Sequence, residues 1–478
     1  MDLGIIQEVL DAGIRLPPGV ERPHNYQIED LNTRGRAKSC GYFLDIGLGK
    51  TLMGAMSAGW NLLHGFDRAY VLCPASLTQQ WYEVASYMGF DTLLYAGTPK
   101  DRKKFNFDHD IIILSFEIFQ KDYDTIKSFP GYFVVDEATI LSNPNNKFYK
   151  MLNGGILKKD IIVPGRMLPK KEVIQFPQLN DGCCLLTATP SNNPADLYGL
   201  IKTIDPDIYT NEFQFNRLHV SEENIFGAPT KFMNLDMLKE NLRSVASIRF
   251  ATDYLDLPPV VYNLIEYDLD PEHYKIYKEL LEKKMLVHDG KIVIDALQVM
   301  AYYNWAQKII VNPDKAMYKK DPKVLSLLDT IVENNPQTLI VNKYVMSNDK
   351  MMLRYKKLGI GGCYGSISRT QQIKYIQAFK DRKLRVLTIN EKSGGVGLNL
   401  QVCSSAVYPE MPVTARGFRQ SVGRIYRQGQ KERVIITLFV ARKTIQKTLL
   451  KLIMARDDVM QEVLCSPKSL REDLFPVD

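Results

Sequence analysis

Long apolar runs are missing from this chain of 478 residues. No window reaches the roughly 18 uninterrupted apolar residues that a membrane helix needs, so no membrane partner is expected. The opening Met1-Asp2-Leu3-Gly4 has neither the basic nor the apolar stretch of a secretory signal, and a cytoplasmic location is the expectation. Cysteine offers no framework. The seven are odd in number, Cys183 and Cys184 are adjacent, and the rest are scattered. Without a Cys-x-x-Cys or His-x-x-x-His spacing, neither disulfides nor zinc are implied, and reduced, buried thiols are expected. Internal repeats and low-complexity tracts are absent too. Charge is not extreme: the formal net charge of +7 permits a polyanionic partner without requiring one.

What is present is an ordinary globular composition, 45% hydrophobic and 24% charged, on a length that suits two or three domains. Short apolar, β-rich runs end abruptly in polar or Gly-rich turns at Gly41–Ile46, Ala69–Cys73, Asp110–Ser115, Tyr132–Asp136 and Cys184–Ala188. Helical periodicity separates several of them, as in Leu52–Leu63. Buried strands alternating with helices imply α/β architecture with a doubly wound parallel sheet. The pattern returns at Thr338–Asn342, Arg385–Ile389, Ser405–Tyr408 and Val434–Phe439. The expected organisation is a first lobe over 1–204, a mainly helical region over 205–320, and a second lobe over 321–478 with a C-terminal amphipathic helix near Lys443–Leu464. Within 205–320, Leu257-Pro258-Pro259 breaks the helical pattern before an extended run, Val260–Tyr267. Two β-rich runs, Asp160–Val163 and Glu172–Phe176, flank a turn at Pro164-Gly165 and predict a β-hairpin inserted in the first lobe over about 156–179. Its basic residues include Lys158, Lys159, Arg166, Lys170 and Lys171.

The chemically suggestive residues sit at strand ends, where ligands bind in such sheets. Gly47-Leu48-Gly49-Lys50-Thr51 follows a strand and opens a helix, the setting in which bare N–H groups face an anion. Lys50 would reach the β- and γ-phosphates of ATP, and Thr51 would hold Mg²⁺. Leu44 stands where the full phosphate-loop pattern has its first glycine. Asp136-Glu137 ends the apolar run Phe133-Val134-Val135, placing one carboxylate for Mg²⁺ and a neighbour to deprotonate or orient water. In the second lobe Gln420, Arg424 and Arg427 follow at i, i+4 and i+7, which on a helix is one face. A glutamine and two arginines there suit γ-phosphate sensing and stabilisation of the transition state, and hydrolysis would need the lobes to close. A solvated basic face is the alternative.

In order along the chain, these segments resemble the motifs of superfamily 2 helicases, specifically the Swi/Snf-like branch. Arg22-Pro23-His24-Asn25-Tyr26-Gln27 is similar to the adenine-reading segment, with Gln27 the base contact. Asp45-Ile46-Gly47-Leu48-Gly49-Lys50-Thr51 is similar to motif I, and Cys73-Pro74-Ala75-Ser76-Leu77 with Gln80-Trp81 to motif Ia. Asp136-Glu137-Ala138-Thr139 resembles motif II, and Leu186-Thr187-Ala188-Thr189-Pro190 resembles motif III, whose Thr187 and Thr189 would couple the ATP site to movement. Ser393–Leu400, including Gly394 and Gly397, resembles motif V, and Gln420–Gln430 resembles motif VI. The match covers about residues 20–450 and implies two RecA-like lobes. Two departures stand out. Thr139 replaces the branch's usual histidine, and the Trp-Asn-Pro usual before motif VI is absent around Pro412-Val413-Thr414. With no chromatin-reading or nuclease module, the chain looks most like compact helicases encoded by bacteriophages, which would work in the cytoplasm of a bacterial host.

The resemblance implies an ATP-driven DNA motor, a monomer, acting on duplex, forked or branched DNA. Ser76, Ser115, Ser393 and Gly394 would contact the phosphate backbone without reading sequence, joined by Arg166, Lys170 and Lys171 of the hairpin. For each serine, a helix cap or turn is an equal alternative. A duplex translocase that strips proteins without separating strands, an RNA-directed motor, and a nucleotide-gated binding module without turnover are the competing functions.

Overall fold

The computed structural model describes residues 3–161, 170–188, 190–191, 193–224, 227–288, 291–295, 298–391, 398–412 and 414–464; within these, the side chains at 159–161, 170–171, 288, 291–293, 295 and 299–300 fall outside the description. The chain divides into two compact units, Met1–Tyr254 and Leu255–Gln461.

The first unit is built on seven parallel strands: β1 (Ser39–Leu44), β2 (Ala69–Cys73), β3 (Thr92–Leu94), β4 (Ile111–Ser115), β5 (Tyr132–Asp136), β8 (Cys183–Thr187) and β11 (Ala246–Arg249). They lie in the order β11-β1-β8-β5-β2-β4-β3. All pairs are parallel, so each connection is a crossover and the strands' carboxyl ends share one edge. β2, β4, β5 and β8 are buried at every residue, as near-continuous apolar runs require of strands covered on both faces. Between them run the helices Lys50–Leu63, Thr78–Met88 and Leu197–Ile204.

The predicted hairpin is present and longer than its sequence suggests. β6 (Gly154–Ile161) pairs antiparallel with β7 (Lys170–Gln178), from Gly155 opposite Phe176 to Ile161 opposite Lys170. The first strand starts six residues before the predicted run because its base is tied to the lobe. Asn180 Nδ2 donates to Asn153 Oδ1 at 3.0 Å and to the Thr203 carbonyl at 3.2 Å, while Phe176 packs edge-on against Tyr123. Residues 162–169, which hold the predicted turn and Arg166, lie outside the described residues.

The second unit has six parallel strands: β12 (Val260–Tyr267), β15 (Thr338–Asn342), β16 (Ile360–Cys363), β17 (Val386–Asn390), β18 (Ser405–Tyr408) and β19 (Val434–Ala441), in the order β12-β19-β18-β15-β17-β16. Alternation along β15 separates two cores. Ile340 packs with Tyr277, Ile309 and Leu328, whereas Leu339 and Val341 pack with Phe418, Leu450 and Met454. Residues on alternate sides of a strand fill opposite layers of helices. The helix Ile445–Leu464 supplies the second layer, near its expected bounds.

The region 205–320 does not form a body of its own. It carries the two-stranded ribbons β9 (Val220–Glu223) with β10 (Pro229–Phe232), and β13 (Met285–His288) with β14 (Lys291–Asp295), and it lends an edge strand to each sheet. β11 extends the first sheet and β12, the run after Pro258-Pro259, extends the second. Helical periodicity in the intervening segments hid β11, which is four residues long and half-buried at an edge. Two RecA-like, doubly wound lobes are therefore the architecture. Among the described residues no helix is long and apolar enough to cross a membrane.

Replacing Phe133 tests the central strand. Its ring is 1% exposed and stacks on Tyr70 at 5.3 Å. Phe133→Ala should cost the first lobe about 3–5 kcal/mol through lost transfer energy and a residual cavity, read as a lower urea midpoint for that lobe's transition with the second lobe's transition in place.

Candidate active site

The loop after β1 is shaped for an anion. Gly49 has φ 75° and precedes the helix Lys50–Leu63, whose first turn has no side-chain cap. A helix N-terminus directs its early N–H groups outward along its axis, the geometry that favours an anion. Position 49 favours glycine because its positive φ strains a residue with a Cβ, which would also lie 2.4 Å from Gln27 Nε2 and displace it. Lys50 Nζ donates to the carbonyls of Leu44 at 2.8 Å and Asp45 at 3.1 Å, so the ammonium lies across the loop it starts from. Leu44, the departure from the glycine pattern, is a buried strand end whose carbonyl is one of those acceptors.

Tyr26 and Gln27 hold this loop from the helix Asn25–Arg34. Tyr26 OH donates to the Leu48 carbonyl at 3.0 Å, and Gln27 Nε2 donates to the same oxygen at 3.1 Å. Gln27 Oε1 accepts from the His24 N–H at 2.9 Å. Both ends of the Gln27 amide are thus occupied within the protein. Arg22 is exposed, and Asp45, Ile46, Gly47 and Thr51 are half-buried around the loop.

Asp136 and Glu137 stand at the carboxyl end of β5. Asp136 is 6% exposed. Its Oδ2 accepts from the Trp81 indole N–H at 2.9 Å, and its Oδ1 accepts from the Glu137 N–H at 2.9 Å. Burial raises its pKa above the ordinary carboxylate value, opposed by those two hydrogen bonds and by the nearby Lys50 charge. Glu137 adopts φ 58°, a left-handed conformation that a non-glycine residue rarely takes and that aims its side chain out of the strand's line. The donor set, one carboxylate and the Thr51 hydroxyl beside a phosphate loop, consists of hard oxygens and fits Mg²⁺ shared with a nucleotide. Asp136 and Thr51 would hold that ion, which supplies charge neutralisation on the phosphates when bound.

In the second lobe the helix carrying Gln420 is shorter than its periodicity predicts. It spans Ala415–Val422, and Gly423 closes it with its N–H on the Arg419 carbonyl at 2.9 Å. Arg424 and Arg427 follow beyond its end, so the three residues do not lie on one continuous helix. The Arg424 carbonyl instead accepts the Leu400 N–H at 2.8 Å, which draws the chain out of helix. Arg424 is 8% exposed; its Nη2 donates weakly to the Glu391 carbonyl at 3.5 Å, and its Nη1 is buried without a hydrogen-bond partner among the described residues. Burial lowers the pKa of both arginines. Arg427 is half-exposed and donates to Asn399 Oδ1. A buried guanidinium with an idle nitrogen is costly and suits a site that receives an anion.

Comparison with known families places the chain. An SNF2-related domain matches residues 33–315, and a helicase conserved C-terminal domain matches residues 320–429. The chain belongs to the SNF2-related family. As an SNF2-related protein it is an ATP hydrolase of the ATP-dependent helicase class. It is 20% identical over 496 residues to an uncharacterized ATP-dependent helicase, YqhH, of Bacillus subtilis (strain 168), covering 96% of this chain and 82% of that one. It is 22% identical to the ATP-dependent DNA helicase DDM1 of Arabidopsis thaliana, covering 85% of this chain and 56% of that one. It is 23% identical to a DNA repair and recombination protein RAD54-like of Gallus gallus, covering 85% and 61%. This SNF2-related chain therefore spans less than two thirds of the latter two. A Sulfolobus solfataricus SWI2/SNF2 ATPase core in complex with dsDNA is similar at 18% identity over 93% of both chains, with a TM-score of 0.42.

The expected track residues divide three ways. Ser76 is half-buried in the tight turn Pro74–Leu77 at the carboxyl end of β2. Ser115 is 4% exposed, and its hydroxyl caps the helix Phe116–Lys121 by accepting from the Ile118 N–H at 3.3 Å. The cap is thus the role that its geometry displays. Ser393, Gly394, Gly397, Thr189 and Arg166 lie outside the described residues, as do the side chains of Lys170 and Lys171. Thr187 ends β8, fully buried.

The structure adds residues to which sequence assigned no role. Arg249, at the end of β11, forks onto Asp30, with Nη2 2.7 Å from Oδ1 and Nε 3.1 Å from Oδ2. Its Nη1 donates to Tyr254 OH at 2.9 Å, and the Tyr254 ring lies 4.3 Å from that of Tyr26. The Arg249 carbonyl accepts the Asp45 N–H at 3.0 Å, and Asp45 Oδ2 accepts the Ala251 N–H at 3.0 Å. The phosphate loop is therefore buttressed by a segment two hundred residues away, and no local pattern could have signalled it. Arg249→Ala should destabilise the first lobe by about 2 kcal/mol, less than a fully buried pair because Arg249 is partly exposed, and should weaken ATP binding. Thermal unfolding and nucleotide titration measure both. Arg249→Lys should recover only part of each, since an ammonium cannot fork onto a carboxylate.

Proposed function

We propose that the chain is an ATP-dependent DNA helicase or translocase, a motor that converts ATP hydrolysis into movement on duplex or branched DNA. The observation that carries the reading is the gathering, at one sheet edge, of an uncapped phosphate loop, the Lys50 ammonium and the Asp136-Glu137 pair. Lys50 and the loop N–H groups would bind the phosphates, with Asp136 and Thr51 toward Mg²⁺. Glu137 would take a proton from the attacking water or orient it. Arg424, Arg427 and Gln420 of the second lobe would stabilise charge on the transferred phosphoryl group, which makes turnover conditional on lobe movement. The relatives named as DNA helicase and as DNA repair and recombination protein support DNA as the track. Gln27 would read adenine after exchanging its internal partners. Thr187 and Thr189 would couple the site to the track, which Ser76, Ser393 and Gly394 would contact. Action as a monomer and a place in a bacteriophage's repertoire, within the host cytoplasm, complete the reading. Glu137→Gln should retain ATP binding and lose DNA-stimulated hydrolysis by about 10²-fold or more. Near wild-type turnover by that folded variant would overturn the assignment.

The hairpin favours strand separation over passive tracking on duplex. Ile156 and Val173 share one face of it with Lys158 and are 51% and 61% exposed, an apolar and basic surface on a ribbon braced at its base. A preordered ribbon can stand between strands without a further loss of chain entropy. Exchanging 160–176 for a short Gly-Ser linker should abolish fork unwinding and leave DNA-stimulated ATPase largely intact. Equal retention of both activities would leave the hairpin without a part in unwinding, and equal loss would make it a brace.

A further inference from the structure

One buried hydrogen bond in the first lobe joins two segments whose proposed duties differ. Trp81 stands in the helix Thr78–Met88, which follows the turn holding Ser76. Its backbone N–H donates to the Leu77 carbonyl at 3.0 Å, and the Leu77 N–H donates to the Pro74 carbonyl at 2.8 Å. Its main chain is therefore tied directly to that turn. Its side chain is 2% exposed, and its indole N–H ends on Asp136 Oδ2. A buried indole N–H needs an acceptor. This one takes a carboxylate, and the Glu137 amide takes the other oxygen.

The indole has no room to follow a different path. An ideal Cβ on Gly54 would meet Trp81 Cη2 at 3.0 Å, Leu186 Cδ1 at 2.7 Å and Val134 Cγ1 at 3.0 Å. The missing side chain at position 54 admits the ring edge between the helix that begins at Lys50 and the strands β5 and β8. Close packing on this side and a directional hydrogen bond on the other convert a shift of the turn into a shift of the Asp136 carboxylate.

We propose that Trp81 is a positioning residue that sets the Asp136 carboxylate for Mg²⁺–nucleotide and transmits occupation of the Pro74–Leu77 turn by a DNA phosphate backbone to that carboxylate. This rests on the reading of Asp136 as the magnesium carboxylate. Trp81 is buried, with almost no surface to offer a ligand. It acts through Asp136, as outer-shell donors act on metal ligands.

The test uses the full chain and a fluorescent ADP titrated with Mg²⁺, with and without duplex DNA. Trp81→Phe keeps an aromatic ring and deletes the donor. It should raise the Mg²⁺ concentration for half-maximal nucleotide binding about tenfold. Nucleotide binding in EDTA, and DNA affinity measured without Mg²⁺ and nucleotide, should stay within about twofold of wild type. DNA should lower the Mg²⁺ midpoint of the wild type and not that of the variant. An unchanged midpoint, or equal weakening with and without Mg²⁺, would overturn the proposal. Asp136→Asn is the separate control: a wild-type midpoint there, or no Mg²⁺-dependent binding by the wild type, would overturn the reading of Asp136 itself. If Trp81→Phe fails to fold, Trp81 emission in a Trp60→Phe, Trp305→Phe background replaces it. A spectral change on adding Mg²⁺ to the ADP complex, altered again by DNA, is expected. Emission blind to both would refute the proposal.

Discussion

A carboxylate buried at the end of a hydrophobic strand sets the terms for the first lobe. Asp136 is pushed into low dielectric by the same run of Phe133, Val134 and Val135 that makes β5 the centre of the sheet. A charge there is costly unless donors meet it. The donors come from an indole N–H, from the next amide and from the field of Lys50. Each belongs to a segment with another duty: the helix after the Ser76 turn, the strained Glu137 and the phosphate loop. Stability of the strand end and placement of the chemistry are thus one problem.

The phosphate loop solves a related problem by long-range bracing. Its two glycines bring no side chains to anchor it, and it is held through the buried Leu48, whose carbonyl accepts from Tyr26 and Gln27, and through the Asp45 carboxylate, which accepts the Ala251 N–H. Arg249 and Asp30 add an ion pair behind that contact, and the Asp45 backbone is fastened to the same edge strand. A loop held this way keeps its N–H groups aligned without a ligand, which lowers the ordering cost of binding.

Orphaned hydrogen-bonding capacity in the second lobe includes the arginine turn. Gly423 ends the helix that carries Gln420, and Arg424 then lies buried with one nitrogen idle. Had the helix continued, the Arg424 carbonyl would not have been free for Leu400. Breaking the helix fastens the segment after Ser393–Gly397 to the arginine turn, so two motifs separate in sequence are joined by a main-chain hydrogen bond.

Strand-and-helix alternation and the order of strand-end motifs were legible because they are local. Burial of β2, β5 and β15 on both faces calls for largely apolar runs, and the phosphate loop calls for glycine at the positive φ of position 49. By itself, then, the sequence determined the two parallel α/β lobes, the inserted hairpin and the identities of Lys50, Asp136 and Glu137 as candidate chemistry. The short edge strand β11, the true reach of the hairpin, the helix stop at Gly423 and the partners Trp81 and Arg249 were decided only by tertiary structure. Each depends on atoms brought together from distant positions. Edge pairing, the tie at Asn180 and the acceptors of buried N–H groups are energies of contact between segments, and neither periodicity nor spacing within one segment carries them.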